Sequence, residues 1–478
     1  MVLSASLHHP GSLNEHPVPQ FDPDLVRRYA GAGPRYTSYP TALQFTKAFD
    51  AGQLKTFAQS SNEELLPRDL SLYVHIPFCA TLCFYCACNK IVTRNARTAA
   101  DYLERLHREV AMYGSLFDDD RKLTQLHLGG GTPTFLDTAQ IRDLLGCIGE
   151  HFPVTDDVSR DYSIEIDPRT VSEETLDRLR EIGFNRVSMG VQDFDPLVQK
   201  AVHREQSCEK TLSLVRHARA QGFGSTNVDL IYGLPLQTAS SFTATLDRLL
   251  EVSPDRLSIF HYAHLPHLFF PQRRILESQL PSSEEKLNIL GAAIERLAEA
   301  GYIHIGMDHF ARPDDPLVSA FHDGTLHRNF QGYSTHADCD LIGVGVSAIS
   351  HIGDSYSQNT KLLSEYQDGI DAGEFPIDRG LALSRDDKIR QSVIERLMCA
   401  GEVDLDEVSA EHRPVPEDYF RDDLERLQTL LRDDLITFPS ARIIRVTAKG
   451  RFLLRNICMI FDRYIEPTAD IPRHSRVI

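Results

Sequence analysis

Leu72-Tyr73-Val74-His75-Ile76-Pro77-Phe78-Cys79-Ala80-Thr81-Leu82-Cys83-Phe84-Tyr85-Cys86-Ala87-Cys88 is the stretch on which the reading of this chain turns. A short apolar strand, 72–76, runs almost directly into Cys79, Cys83 and Cys86 at C-x3-C-x2-C spacing. Three thiolates so placed can bind three irons of a 4Fe–4S cube and leave the fourth iron without a protein ligand. S-adenosylmethionine can chelate an open iron through its amino and carboxylate groups. One electron from the cluster then breaks the sulfonium and releases a 5′-deoxyadenosyl radical.

Other uses of these thiols fit less well. A structural zinc site usually joins two separated cysteine pairs. A disulfide clip belongs to secreted chains, and nothing here marks secretion. Ferredoxin-type runs supply four cysteines per cluster at different spacing. Cys88 is surplus: a spare ligand, a redox group, or a small buried residue.

Working outward, apolar-rich runs recur at 125–128, 162–166, 185–191, 226–232 and 256–262. Amphipathic stretches at 99–113, 138–151, 172–181, 209–221 and 239–251 separate them, the first with Tyr102, Leu103, Leu106, Val110 and Tyr113 on one side. Strands alternating with helices imply right-handed crossovers and a parallel sheet. The expected fold class is α/β: an open parallel (β/α)6 partial TIM-type barrel with an N-terminal arm and a C-terminal mostly helical domain. A flat doubly wound sheet is the competitor. The expected divisions are 1–60, an arm and cover segment; 61–300, the barrel; 301–355, a barrel extension; and 356–478, a helical, winged-helix-like domain. Within the last, helices are expected at 386–400, 418–432 and about 448–464, with a hairpin of 436–438 and 443–446. Residues 1–22 read as a loosely attached arm, and 33–41, rich in tyrosine and hydroxyls, as a segment able to fold over a site.

Chemistry in such barrels gathers at the carboxyl ends of the strands. Those ends carry the cysteines, then Gly129-Gly130-Gly131-Thr132-Pro133-Thr134, Glu165 with Asp167, Gln192-Asp193, Asn227 with Asp229, and His261-Tyr262-Ala263-His264. Polar side chains inside apolar strands need partners, and a polar ligand would supply them. The glycine run either offers free amides to an amino-acid ligand or is a tight turn. Glu165 and Asp229 suit ribose hydroxyls, or a buried salt bridge. Arg204 suits a carboxylate, or a surface pair with Glu205. His309 and His327 read as hydrogen-bonded residues rather than metal ligands.

The 478 residues allow two or three domains, and 42% hydrophobic with 25% charged residues is ordinary for a soluble protein. Lys+Arg 50 against Asp+Glu 68 gives −18, which disfavours nucleic acid and anionic membranes but permits an anionic substrate in a locally basic pocket. The helix–hairpin–helix pattern is therefore read as a docking or lid unit. Nine cysteines, five of them scattered (Cys147, Cys208, Cys339, Cys399, Cys458), suggest a reducing compartment. No apolar run has membrane-span length. Residues 1–21 fit neither a signal nor a transit peptide, so a cytoplasmic location is expected.

With these residues in view, the chain resembles the oxygen-independent coproporphyrinogen III oxidases, radical S-adenosylmethionine enzymes of haem biosynthesis. The likeness runs from about 35 to 478. It includes 35–41, 73–90, 129–134, Ser188-Met189-Gly190-Val191-Gln192-Asp193-Phe194, Asp229-Leu230-Ile231-Tyr232-Gly233-Leu234-Pro235, 306–315, 327–333 and the terminal Ser475-Arg476-Val477-Ile478. The resemblance implies an oxidoreductase that converts the propionates of rings A and B of coproporphyrinogen III to vinyl groups, giving protoporphyrinogen IX. The radical takes a β-hydrogen, CO2 leaves, and an external acceptor removes the last electron. It implies that Cys79, Cys83 and Cys86 bind the cluster, and that Tyr73, Gly130 and Glu165 contact the S-adenosylmethionine on the open iron. It further implies a second S-adenosylmethionine, with Tyr85, Gly131, Thr132, Gln192, Arg204, Asp229, Ala263 and Ile349 as the remaining contacts of the two molecules. Ala87 stands where glycine is expected, and Tyr85 where phenylalanine is expected. A tetracarboxylate needs cations, and Arg35, Arg312 and Arg328 are the candidates. An external electron donor and a monomeric state are expected, the latter because no sustained heptad appears. Related haem chaperones share the three-cysteine motif but usually lack Cys88 and the 35–41 arm. Haem binding is thus the alternative function, and radical methylation or ring opening of haem a third.

Overall fold

A computed structural model describes residues 19–31, 33–157, 159–336 and 339–465 of the chain. The first eighteen residues of the expected arm and the terminal 475–478 motif lie outside the described residues.

The strand read from the cysteine motif is β1 (Asp69–Ile76), and the repeats that follow are β2 (Leu123–Gly130), β3 (Asp161–Ile166), β4 (Arg186–Gln192), β5 (Ser225–Tyr232) and β6 (Arg256–His261). All pair in parallel and in sequence order. The crossovers are α1 (Ala96–Gly114), α2 (Thr138–His151), α3 (Glu173–Ile182), α4 (Cys208–Ala220) and α5 (Ala239–Leu250). Local chemistry sets their ends. Asp137 and Gln140 close a capping box at the start of α2, and Ser172 does the same with Thr175 for α3. α3 stops at Gly183, whose φ of 124° is costly for a side chain. α1 buries Tyr102, Leu103, Leu106, Val110 and Tyr113, the face its periodicity predicts.

In β4 and β5 burial alternates. Val187, Met189, Val191, Val228 and Leu230 enter the layer between sheet and helices. Ser188, Gly190, Gln192, Asn227 and Asp229 face the barrel interior and remain partly accessible. The polar residues that look misplaced in the sequence therefore share one face.

The open α/β barrel is present, and the sheet is larger than six strands. Further strands are β7 (Ile303–Gly306), β8 (His309–Ala311), β9 (Cys339–Val344), β10 (Ile349–Ile352), β11 (Ser355–Asn359) and β12 (Ile377–Ala382). The order is β12-β11-β10-β9-β1-β2-β3-β4-β5-β6-β8-β7. β9 is a seventh parallel strand on the free edge of β1, with Asp69 opposite Cys339 and Val74 opposite Val344. β10 to β12 extend this edge antiparallel, and β8 with β7 extend the other. β11 and β12 carry the sheet past residue 355, because their main chains satisfy an edge that β10 would otherwise leave open.

The helical unit then opens with α8 (Arg385–Ala400) and includes α9 (Arg421–Arg432), after α6 (Ser283–Glu299) and α7 (Leu363–Asp371) in the barrel. Its hairpin gains a third strand, Glu402–Asp404. The expected last helix is short, Leu454–Met459, preceded by a tight turn at Gly450–Leu453. Tyr36 and Tyr39 of the cover segment are buried in the core of this unit, and the Tyr36 hydroxyl donates to Asp462 at 3.0 Å. The segment is thus tied to the C-terminal unit as well as to the barrel.

Candidate active site

At the carboxyl end of β1 the chain forms a two-residue strand, Phe78–Cys79, paired in parallel with Ile91–Val92. This closes the cysteine loop at its base. The loop is also pinned from outside. Phe84 N donates to Val202 O at 3.0 Å, His203 Nδ1 lies 2.7 Å from Leu82 O, and Gln272 Nε2 donates to Tyr85 O at 3.0 Å. Phe84 stacks on His203 at 5.0 Å. The thiols therefore have fixed anchors.

Each cluster-motif thiol has a polar neighbour. Thr132 Oγ1 donates to Cys79 Sγ at 3.6 Å, and Arg204 Nη1 and Arg169 Nη2 donate to Cys83 Sγ at 3.4 and 3.6 Å. A hydrogen bond from the Cys88 thiol, aided by Lys90, pulls the Cys86 thiol down to about 6, while Cys88 itself is pushed up. Burial raises Cys79. The surplus cysteine thus neighbours the Cys86 sulfur. Among the described residues no three His, Cys, Asp or Glu side chains converge on one point.

The thiols open into a cavity of about 520 Å³ at the carboxyl ends of the strands. Cys79, Cys83, Cys86, Tyr85, Gly130, Gly131, Thr132, Glu165, Gln192, Arg204, Asp229 and Ala263 all line it, with Arg35 at one side. Tyr73 and Ile349 do not line it. Tyr73 stacks on His127 at 5.8 Å, and His127 Nε2 reaches Glu165 Oε1 at 3.2 Å, so Tyr73 backs the wall through His127. Ile349 opens β10, with β9 between it and β1.

Glu165 is held ionised. Burial pushes its carboxyl up, but His127 and the Gly130 N–H, 3.2 Å from Oε2, outweigh burial and leave it below the usual range. Asp229 goes the other way: burial and the nearby Glu165 charge raise it to about 6 against the hydrogen bonds from Ser188 at 2.9 Å and Asn227 at 2.8 Å. Neither is in a salt bridge with an arginine or lysine. Arg204 is buried and makes no pair with Glu205; it reaches Asp167 at 3.3 Å and Gly190 O at 2.5 Å, and stays firmly charged.

The glycine run proves to be a tight turn. The amides of Gly130, Gly131 and Thr132 donate to Glu165, Ile76 O and Phe78 O, so they are not free for a ligand. A Cβ on Gly131 would lie 2.7 Å from Pro77 O, which explains the glycine. Gln192 shows the clearest sign of a missing partner. It follows a bulge in β4, adopts φ 70°, and its enclosed Oε1 has no hydrogen-bond partner. Arg204 Nε is similarly unpartnered. Thiols, acceptor carboxylates, an aimed amide and three arginines have the chemistry to fit an iron–sulfur cube with an amphoteric, ribose-bearing cofactor.

Arg312 lies elsewhere. β8 runs antiparallel to β6, so its end delivers Arg312 to the amino end of the barrel, where it pairs with Asp314 at 3.0 Å and its N–H bonds Asp255 O. Arg328 lines a different cavity. Arg35 pairs with Asp308 at 3.1 Å and lies over Phe260. His327 pairs with Glu395, and half-buried His309 is kept neutral, with its pKa lowered to about 3 by desolvation and the nearby Arg328 charge. Sequence reasoning missed His127, Arg169 and Lys90. His127 alone left a signal, its place on the interior register with Gln125 and Gly129.

The chain matches a family model described as the radical SAM superfamily over residues 73–249 and one described as the HemN C-terminal domain over 383–453. It is 50% identical over 459 residues to the oxygen-independent coproporphyrinogen III oxidase of Pseudomonas aeruginosa, covering 96% of this chain and 99% of that one. The protein of the same name from Escherichia coli is 50% identical over 464 residues, with 96% and 100% covered. The solved structure described as coproporphyrinogen III oxidase (HemN) from Escherichia coli, a radical SAM enzyme, superposes with a TM-score of 0.88 at 48% identity, covering 94% of this chain and 100% of that chain.

Proposed function

Because the chain belongs to the oxygen-independent coproporphyrinogen III oxidases of the radical SAM superfamily, we infer that the cavity at the barrel mouth oxidatively decarboxylates two propionates of coproporphyrinogen III to vinyl groups. It does so with a 4Fe–4S cluster and S-adenosylmethionine. The observation that carries this is the convergence of the cysteine loop with Glu165, Gln192, Arg204 and Asp229 on one cavity.

When bound, the cluster and S-adenosylmethionine supply a one-electron cleavage whose deoxyadenosyl radical takes a β-hydrogen from a propionate. The protein provides the geometry. Cys79, Cys83 and Cys86 hold the cluster. Arg204 and Arg169 donate to Cys83 Sγ, and hydrogen bonds to ligand sulfur are among the levers that tune cluster potential. Glu165 and Asp229 accept hydroxyl hydrogens, the first through a carboxylate that His127 keeps ionised. The Gln192 side chain offers its unpartnered carbonyl oxygen. Phe260, Ile231 and Ile166 supply apolar wall and exclude water from the reacting carbon. Arg35 can exchange Asp308 for a substrate carboxylate.

In this reading two molecules of S-adenosylmethionine bind, Tyr73 acts through His127, and an external donor and acceptor carry electrons. The protein works as a cytoplasmic monomer, in keeping with the nine free cysteines. No helix among the described residues is long and apolar enough to cross a membrane. Residues 61–300 carry the radical chemistry, while the cover segment, 301–355 and the C-terminal unit close the open side. The test is anaerobic reconstitution with iron and sulfide, followed by coproporphyrinogen, S-adenosylmethionine and reductant. Protoporphyrinogen and 5′-deoxyadenosine should form together; haem transfer without decarboxylation would instead mark a chaperone.

A further inference from the structure

A second cavity, of about 450 Å³, lies between the sheet edge, the cover segment and the C-terminal unit. Tyr36, Arg328, Leu341, His351, Glu395 and Ala400 line it. It brings together 35–41 and 327–333, two stretches that stand out in the sequence and that the catalytic cavity touches only at Arg35.

Arg328 is 8% exposed. Five arginines are buried among the described residues. Arg121 donates to Asp340, Arg204 to Asp167, Arg451 to His304 O and Arg455 to Pro34 O. Arg328 alone has no oxygen partner: Nε and Nη1 are enclosed and unpaired, and its contact is the Tyr333 ring at 4.6 Å. A ring face returns less than a buried guanidinium loses on leaving water. The other charges around the cavity cancel in pairs, Lys388 with Asp354, Arg396 with Glu411, Arg68 with Glu64 at 3.8 Å and His327 with Glu395. One uncompensated planar cation remains in a room whose walls include Tyr356, Phe330 and Leu341. That is the recognition chemistry of a carboxylate on an apolar frame.

The two cavities are neighbours. Arg35 lines one and Tyr36 the other. His309, which packs edge-on against Phe260 at 6.0 Å and Tyr333 at 5.3 Å, feels the charges of both Arg35 and Arg328. We propose that the second cavity is a carboxylate site anchored by Arg328, and that it holds the propionates which the reaction leaves intact. This rests on the coproporphyrinogen reading above: two of four propionates survive, and they need a cation away from the reacting carbon.

The probe is coproporphyrin III, the stable oxidised form of the substrate, titrated by fluorescence into the full-length, cluster-loaded protein without oxygen. Arg328→Met should raise its Kd at least tenfold, with Arg328→Lys between. The melting temperature should hold or rise, since an unpaired buried charge is removed; a structural arginine would lower it. Ala400→Leu, which fills the room and keeps the charge, should weaken binding likewise. The cluster's EPR response to S-adenosylmethionine should not change in any variant. Wild-type porphyrin affinity in both Arg328→Met and Ala400→Leu overturns the proposal. So does Arg328-dependent binding of citrate with unaltered porphyrin binding, which would make the site one for a free small carboxylate. A protein that binds porphyrin through Arg328 but forms no protoporphyrinogen would refute the catalytic reading and leave the site standing.

Discussion

Replacing Asp229 with asparagine should make the protein more stable and less able to bind its cofactor, and the stability gain should depend on pH. In the fold the Asp229 carboxyl is raised from 3.8 to about 6, chiefly by burial. About two pH units at roughly 1.4 kcal/mol each is a burden near 3 kcal/mol, and access to the cavity screens it to about 2 kcal/mol. The sign follows from the direction of the shift. A folded pKa above the unfolded one means that the native state keeps its proton longer. The burden is therefore absent below about 4, grows as pH rises to about 6, and is complete above that. Asparagine never ionises, so the variant's advantage should open over the same window. The amide can be satisfied: its oxygen keeps the Asn227 donor and its NH2 meets the Ser188 hydroxyl, which can accept. Parallel thermal melts from pH 4.5 to 8 should show curves that lie close together in acid and separate by a few degrees at neutral pH. Loss of a charge-assisted hydrogen bond to ribose, about 1.5–3 kcal/mol, should weaken S-adenosylmethionine binding by roughly ten- to a hundredfold. A gain that is equal at pH 4.5 and 8, or no gain at all, would refute the burial argument.

Cys83→Ala should abolish cluster assembly, read as iron content after reconstitution, with the fold retained by circular dichroism. Arg204→Lys should retain iron but shift the cluster midpoint potential negative and cut deoxyadenosine formation at least tenfold. One ammonium cannot serve the Cys83 sulfur, Asp167 and the Gly190 carbonyl at once. Arg312→Ala should leave the KM for coproporphyrinogen unchanged, because its pair with Asp314 lies at the barrel's amino end; a severalfold rise would return Arg312 to the substrate site.

The barrel was legible because its signals are local. A run of β-branched and aliphatic residues, a capping serine at 172 and a stopping glycine at 183 each act within a few residues. The site was legible where polar residues fell on the interior register of apolar strands, as with Asn227 and Asp229. What stayed hidden depends on long-range pairing. β9 reads as an ordinary apolar run, and nothing nearby says that it will join β1, some 270 residues earlier in the chain. The same limit misplaced Arg312, since only the antiparallel sense of β8 decides which end of the barrel it reaches. The glycine run stayed ambiguous for a different reason. Composition cannot tell whether an amide is free, and here Glu165 and two carbonyls had already taken the three amides after Gly129.

Arg204 shows how these parts become one device. Its guanidinium touches a cluster-motif sulfur, the Asp167 carboxylate just past the end of β3 and the carbonyl of Gly190, the residue beside the bulge that turns Gln192 into the cavity. A Cβ on Gly190 would lie 3.2 Å from Arg204 Nη2 and 2.9 Å from Gln192 Nε2, so the strand must be bare there for both side chains to fit. Any shift of Cys83 on cluster loading is therefore transmitted through a rigid fork to the backbone that aims Gln192. Cluster occupancy and cofactor affinity should be coupled, with S-adenosylmethionine binding weaker in iron-free protein even for contacts far from the open iron. The coupling should shrink in Gly190→Ala, where the bulge can no longer seat the arginine. Titration of both proteins, with and without iron, measures it, and equal affinities with and without iron in the wild type would break the chain of contacts at its first link.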